Sequence, residues 1–188
     1  WLAEVWEEKT SKTKPEELAE LVLNYPREIV PVGVRVLTAG VDVQKDHFYI
    51  SIRGWGYSQE SWLILATRVE AWEDVIHILF KTSYPSEVNN ADPFIVRLTC
   101  IDSGHRTSEV YEVCREWRDI SRPIKGQQHL SGTPFKVNNI DKFPETGRMI
   151  PGGLSLRHID TSYFKDKVTR LVQNTKMDNP GGWHLYQN

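Results

Sequence analysis

Hydrophobic positions recur along this chain with two different periods, and the change of period divides it. Near the start, Leu18, Leu21, Val22 and Tyr25 form one apolar stripe at helical spacing. Thr13 reads as the N-cap, Glu16 closes a capping box, Pro15 sits in the first turn, and Pro26 ends the segment. Arg27 to Pro31 follows as a short connector. Residues 1–31 are therefore expected to be a helix and linker leading in from an upstream domain. From Val34 the period shortens. Val34 to Val43 is β-branched and mostly apolar, like a strand covered on both faces. Lys45 and Asp46 make a polar turn. Phe48, Ile50 and Ile52 then alternate with Tyr49, Ser51 and Arg53, which predicts a second strand. A turn at Gly56 to Gln59 leads into a third strand, Trp62 to Val69, and such short turns imply an antiparallel meander.

The helical period returns with Trp72, Val75, Ile76, Leu79 and Phe80. Phe94 to Asp102 reads as a fourth strand, stopped by Ser103 and Gly104. Thr107 is placed to cap a helix carrying Val110, Tyr111, Cys114 and Trp117, and Pro123 to Gly126 is a short extended piece. Residues 126–153 are loop-rich and give no clear assignment. Leu154 to Ile159 is strand-like, Thr161 is placed to cap a last helix with Phe164, Val168, Leu171 and Val172 on one face, and Gly181 to Tyr186 suits one more short strand. Three antiparallel strands followed by helix-linked parallel strands predict an α/β fold: a mixed sheet with helices on both faces, over residues 32–188. Ribonuclease H-like domains show a similar order of elements. Order alone does not give function.

Composition narrows the picture. At 188 residues and 39% hydrophobic, the chain suits one domain with a sizeable core. Its 23 basic and 25 acidic residues give a net charge of -2, which argues against a histone-like coat protein and leaves room for a local basic groove. No apolar run approaches the roughly 20 residues of a membrane-spanning helix. The first residues lack both a signal-peptide pattern and an initiator Met, so a piece of a longer chain is expected. Two cysteines, Cys100 and Cys114, are too few for a disulfide framework, and the expected setting is cytoplasmic. A phosphate-binding Gly-x-x-x-x-Gly-Lys loop is missing from the sequence. Cys100, His105 and Cys114 lack zinc-site spacing, and Ser103 lies too near His105 in sequence to form a hydrolase triad.

Two carboxylates draw attention. Asp42 ends the first strand and Asp102 the fourth, each after apolar neighbours. A bare buried carboxylate costs several kcal/mol, so each needs a partner. If those strands lie adjacent and parallel, their C-terminal ends meet and the two anions share a crevice. A divalent hard cation, Mg²⁺ or Mn²⁺, is the natural companion. Two such ions roughly 4 Å apart can activate water and stabilise the leaving oxygen of a phosphodiester. The competing reading makes each Asp a turn or helix cap. Asp160, between a strand and a helix, is a third candidate acid, with an N-cap role as its rival. Lys125 is expected to emerge near the same sheet end and contact a phosphate. His105 and Arg106 follow Asp102 closely enough to touch a DNA backbone. Lys165, with Arg157, Lys167, Arg170 and Lys176, gives the last helix region a basic excess.

Read together, Leu37-Thr-Ala-Gly-Val-Asp-Val-Gln, Gly54-Trp-Gly with Glu60-Ser-Trp, Ile101-Asp-Ser-Gly-His-Arg-Thr with Val110-Tyr, and Ile124-Lys-Gly resemble the nuclease domain of lambda-like (GpA) phage terminase large subunits. Tyr25-Pro-Arg-Glu-Ile-Val-Pro is similar to the connector that precedes it. The resemblance implies a ribonuclease H-like, metal-dependent endonuclease that cuts concatemeric viral DNA during packaging. Asp42 and Asp102 match its first two metal-binding carboxylates. An upstream ATPase motor of the same protein would translocate the DNA, and the small terminase subunit and the portal protein would be the partners of this double-stranded-DNA enzyme. Two departures stand out. The family reads Asp-Ser-Gly-Gly-His where this chain has one Gly fewer. A further helix carrying the third acid is also expected beyond Asn188, so the domain is expected to lack its C-terminal helix. The rival reading is a non-catalytic DNA-binding or docking domain on the same fold.

Overall fold

A computed structural model describes residues 19–187. The strands are β1 (Val22–Leu23), β2 (Val36–Val43), β3 (Phe48–Trp55), β4 (Ser61–Val69), β5 (Val96–Asp102), β6 (Ser121–Gln127), β7 (Phe135–Lys142), β8 (Met149–Asp160) and β9 (Trp183–Tyr186). The helices are α1 (Trp72–Ile76), continued by a π-helical turn over His77–Lys81, α2 (Thr107–Glu116) and α3 (Thr161–Lys176). One mixed sheet runs in the order β1-β9-β4-β3-β2-β5-β6-β8-β7. Strands β2, β3 and β4 form the expected antiparallel meander, and β5, β6 and β8 add in parallel to β2.

Strand alternation decides which face is covered. On β2, Leu37, Ala39, Val41 and Val43 are buried, joined by Phe48, Ile50 and Ile52 of β3 and Ile101 of β5. Val75 and Leu79 of the α1 segment and Val110, Val113 and Cys114 of α2 are buried in the same core. The two helical segments meet edge to edge: Phe80 stacks on Trp117 at 4.7 Å, and Trp72 Nε1 donates to Glu109 Oε2 at 2.8 Å. Gly54 is required by close approach, since a Cβ there would lie 2.8 Å from both methyls of Val34.

The opposite face of the central strands is open. Gly40, Asp42, Ser51 and Ala66 are exposed, and Tyr49 and Leu98 retain 50% and 39% of their surface. The expectation of helices on both faces therefore fails over β2, β3 and β5 among the described residues. What looks like a continuous apolar run in β2 is an alternation, because Thr38, Gly40 and Asp42 fill every second position. Helix α3 instead joins β8, near one edge of the sheet, to β9 beyond β4, and packs on β9. No described helix is long and apolar enough to cross a membrane.

Three other expectations are corrected. The helix expected to run to Tyr25 has its start, including Thr13, Pro15, Glu16 and Leu18, outside the described residues. Its end is β1, with Val22 and Leu23 paired parallel to Leu185 and Tyr186. Leu21 and Tyr25 are buried, but Tyr25 spends its hydroxyl on the Leu63 carbonyl at 2.9 Å, and strand pairing displaces the helical stripe. The unassigned stretch 126–153 contains β7 and the start of β8, a hairpin that keeps Phe135 and Val137 half exposed and buries only scattered positions such as Phe143 and Ile150, so no regular face left a signal. Finally, neither Thr107 nor Thr161 caps its helix. Arg106 takes the N-cap position of α2 in the left-handed region (φ 49°), and Asp160 caps α3.

Candidate active site

The parallel pairing of β2 with β5 ends at Val41 and Ile101, and the next residue on each strand is an aspartate. Equal register and period-two alternation put Asp42 and Asp102 on the same face, the open one. Neighbouring strands lie about 4.8 Å apart, so the two side chains emerge side by side. They form the floor of an open trough of about 670 Å³ with Gly40, Tyr49, Ser51 and Cys100.

Each carboxylate is oriented by its own strand end. Gln44 Nε2 donates to Asp42 Oδ2 at 2.8 Å. The amide of Gly104 turns back on Asp102. That turn is fixed from below, since Ser103 donates both its amide (2.9 Å) and its hydroxyl (2.7 Å) to the Ile124 carbonyl of β6. Thr107 Oγ1 donates to the Ser103 carbonyl at 2.9 Å. A Cβ at position 104 would stand 3.1 Å from Asp102 Oδ2, so glycine is what lets the backbone close over the carboxylate. Burial pushes the Asp102 carboxyl up, the Gly104 amide pulls it down, and the neighbouring Asp42 charge raises it again. The net direction is upward.

Two anionic oxygens groups held together on adjoining strands are the donor chemistry that a hard divalent cation takes. Among the described residues, no cluster of three or more acidic, His or Cys side chains able to hold a metal is found. The two carboxylates are thus of the donor type such an ion takes, though fewer than a full set of protein ligands.

The other expected residues divide. Asp160 is 4% exposed and its oxygens are committed: Oδ1 accepts from the Tyr163 amide at 2.9 Å and Oδ2 from the Leu130 amide at 2.8 Å. These bonds, the Leu130 amide first, hold its carboxyl below the ordinary range. The structure therefore places it as the cap of α3 and the anchor of the loop before β7, and does not bring it to Asp42. His105 is exposed, and its charge bears on Asp102. Arg106 is tied down instead. Its guanidinium donates to both oxygens of Glu109 and lies 4.8 Å from the Phe48 ring centroid. Lys125 is exposed, but alternation along β6 turns it to the face opposite Ile124, which is level with Asp102. Lys165 is exposed on α3.

Sequence reasoning missed Gln44, and it missed Arg122 as a member of the open face. Arg157 it counted only within a basic excess near the last helix. Arg122 pairs with Cys100, and Arg157 pairs with Ile124, so both share the face of Asp102. Alternation within β6 and β8 was the available signal, but the register that joins them was not.

A family model described as terminase large subunit gpA, endonuclease domain, matches residues 1–188. The chain is 42% identical over 203 residues to the terminase large subunit of Escherichia phage lambda, a match covering 100% of this chain and 29% of that relative. The chain thus spans under a third of the relative's length. No solved structure matches it significantly.

Proposed function

The chain belongs to the terminase large subunit gpA endonuclease family, and from that premise we propose that it hydrolyses phosphodiester bonds of concatemeric double-stranded viral DNA at the Asp42–Asp102 pair. The observation that carries the reading is the shared face and equal register of these two aspartates at the C-terminal ends of parallel strands. The order β4-β3-β2-β5-β6, with its first three strands antiparallel, supports a ribonuclease H-like core.

Asp42 and Asp102 would hold Mg²⁺ or Mn²⁺. Bound there, such an ion would supply Lewis acidity that lowers the pKa of water and stabilises a leaving oxygen. The protein's own part is orientation. Gln44 holds Asp42, and the amide of Gly104 holds Asp102. His105, exposed beside Asp102, is assigned to a phosphate oxygen of the bound strand. Lys165 is assigned to a more distant backbone contact, and Lys125, on the opposite face of β6, is left out of the strand's path. Asp160 positions its loop and helix and does not join the chemistry. In the packaging complex the small terminase subunit and portal would be neighbours, in the host cytoplasm.

The test is plasmid cleavage in Mg²⁺ and Mn²⁺. Asp42→Asn is expected to abolish cutting while the folded state is retained. A variant that still linearises plasmid in Mn²⁺ removes Asp42 from the mechanism. One observation favours a second reading: only two acids meet at the site among the described residues. A DNA-binding domain without catalysis would show steeply salt-dependent affinity and no cleavage in any divalent metal.

A further inference from the structure

Away from the aspartate pair, the sheet opens a second cavity. Strands β6 and β8 pair only from Ile124 and Arg157 onward. Upstream, Ser121 to Pro123 bond only to β5, and the first half of β8 bonds to β7, so the two strands part. The wedge between them is a cavity of about 450 Å³ lined by Arg118, Arg122 and Arg157, with Asn139, Asp141 and Ser155 on its far wall. Gly152, in a positive-φ conformation, leaves room for Arg118 to lie across it; a Cβ there would come 3.3 Å from Nη1.

The charge in the wedge is unbalanced. Arg27, Arg68, Arg106, Arg115 and Arg148 are each ion-paired to a glutamate. Arg118, Arg122 and Arg157 bond only to backbone carbonyls among the described residues. Arg118 reaches the Pro151 carbonyl at 3.5 Å, Arg157 reaches Ser155 at 3.2 Å, and Arg122 holds the carbonyls of Arg118, Ser121 and Asp119. Each guanidinium presents five N–H donors in a planar fork, so each keeps donors free. Asp141 is the one carboxylate on the wall, and it makes no ion pair with any of the three. Burial and the nearby Arg122 charge pull the Arg157 guanidinium below its ordinary range, as expected of cations crowded without a counter-ion.

Register ties the wedge to the candidate active site. Arg157 is level with Ile124, which is level with Asp102, so Arg157 stands two strands away on the same face. At the usual strand spacing that is about 10 Å, on the order of three base-pair rises along a duplex axis.

We infer that the Arg118–Arg122–Arg157 wedge binds backbone phosphate of the DNA strand that continues past the Asp42–Asp102 pair, and so holds that strand in place over the pair. The inference rests on the nuclease reading for its choice of DNA. These are positioning residues. They touch the strand away from the scissile bond, so their loss weakens binding and leaves the chemical step intact.

The experiment uses the full chain and a fluorescein-labelled 30-base-pair duplex, read by anisotropy in Ca²⁺ from 50 to 300 mM NaCl. Arg157→Gln and Arg118→Gln are each expected to weaken binding roughly fivefold to tenfold at 0.1 M salt and to lower the log–log salt slope by about one. Arg157→Lys should recover the slope. Arg115→Gln, on α2 and paired with Glu112, should bind like wild type. With saturating DNA in Mn²⁺, the cleavage rate of the two wedge variants should stay within about twofold of wild type while KM rises. Unchanged affinity and slope in both variants overturn the wedge, whether or not the protein cuts. Wild-type binding lost in the variants, with no cutting in any metal, upholds the wedge and sinks the nuclease reading. Inorganic phosphate that raises the wild-type melting temperature but not the variants', with DNA affinity unaltered, overturns DNA in favour of a free anion.

Discussion

Replacing Asp42 by Asn tests the central geometry through stability as well as activity. Asn keeps an oxygen to accept from Gln44 and matches Asp in volume, so the perturbation is the loss of one negative charge. Asp42 and Asp102 leave adjoining strands in register, which puts their carboxylates about 5 Å apart. Coulomb's law gives a repulsion of about 0.8 kcal/mol in bulk water and ~1.7 kcal/mol at an effective dielectric of 40. Asp42 is exposed, so the lower figure governs, and a gain near ~1 kcal/mol is expected on removing the charge. For a domain of this size that is a rise in melting temperature of about 2–4 °C in EDTA. The gain should shrink in 0.5 M NaCl, where screening shortens to a few ångströms. Mn²⁺ at 100 times its dissociation constant should stabilise the wild type by about 2.7 kcal/mol and leave the variant nearly unmoved. Calorimetric or fluorescence melts with and without Mn²⁺ read both effects. An Asp42→Asn protein that melts below wild type in EDTA, or that keeps the full Mn²⁺ response, refutes the shared cation-gripping pair.

Two further predictions concern groups outside that pair. Asp160→Ala removes the cap of α3 and the anchor of the Leu130 amide; the melting temperature should fall by about 2–4 °C, with cleavage retained at temperatures where the fold persists. A variant that melts normally and cannot cut would return Asp160 to the catalytic set. Glu60 clips β9 to β4: it accepts the amides of Gly181 and Gly182 at 2.9 Å each and pairs with His184. Burial pushes its carboxyl up, but the Gly182 amide, His184 and the Gly181 amide outweigh this and leave it below the usual 4.5. A lowered folded value stabilises the protein above about pH 4.5, and this contribution is lost as the pH falls through it. Urea midpoints between pH 7 and pH 3 should therefore fall more steeply for wild type than for Glu60→Gln; parallel curves would dismiss the clip.

Much of this molecule was written in residue periodicity. The meander of β2 to β4, the helical stripe from Trp72 and the strand ending at Asp102 each bury one regular face, and a regular buried face leaves a regular pattern. The same logic located Asp42 and Asp102, because a lone acid after a run of apolar residues marks a strand end. Where no face is buried, the pattern vanishes. Strand β7 is exposed along nearly its whole length, so nothing in residues 126–153 announced it. Strand β1 owes its conformation to hydrogen bonds from β9, about 160 positions away, which outweigh a local helical stripe. Arg106 read as a DNA contact because its neighbours in sequence suggested one, but Phe48 and Glu109 claim its guanidinium. Period and composition, then, fixed the elements and the two strand-end acids, since these depend on neighbours along the chain. Register alone decided that the acids share a face and that Arg122 and Arg157 join them, because pairing between distant strands sets which side chains stand level, and no local signal carries that.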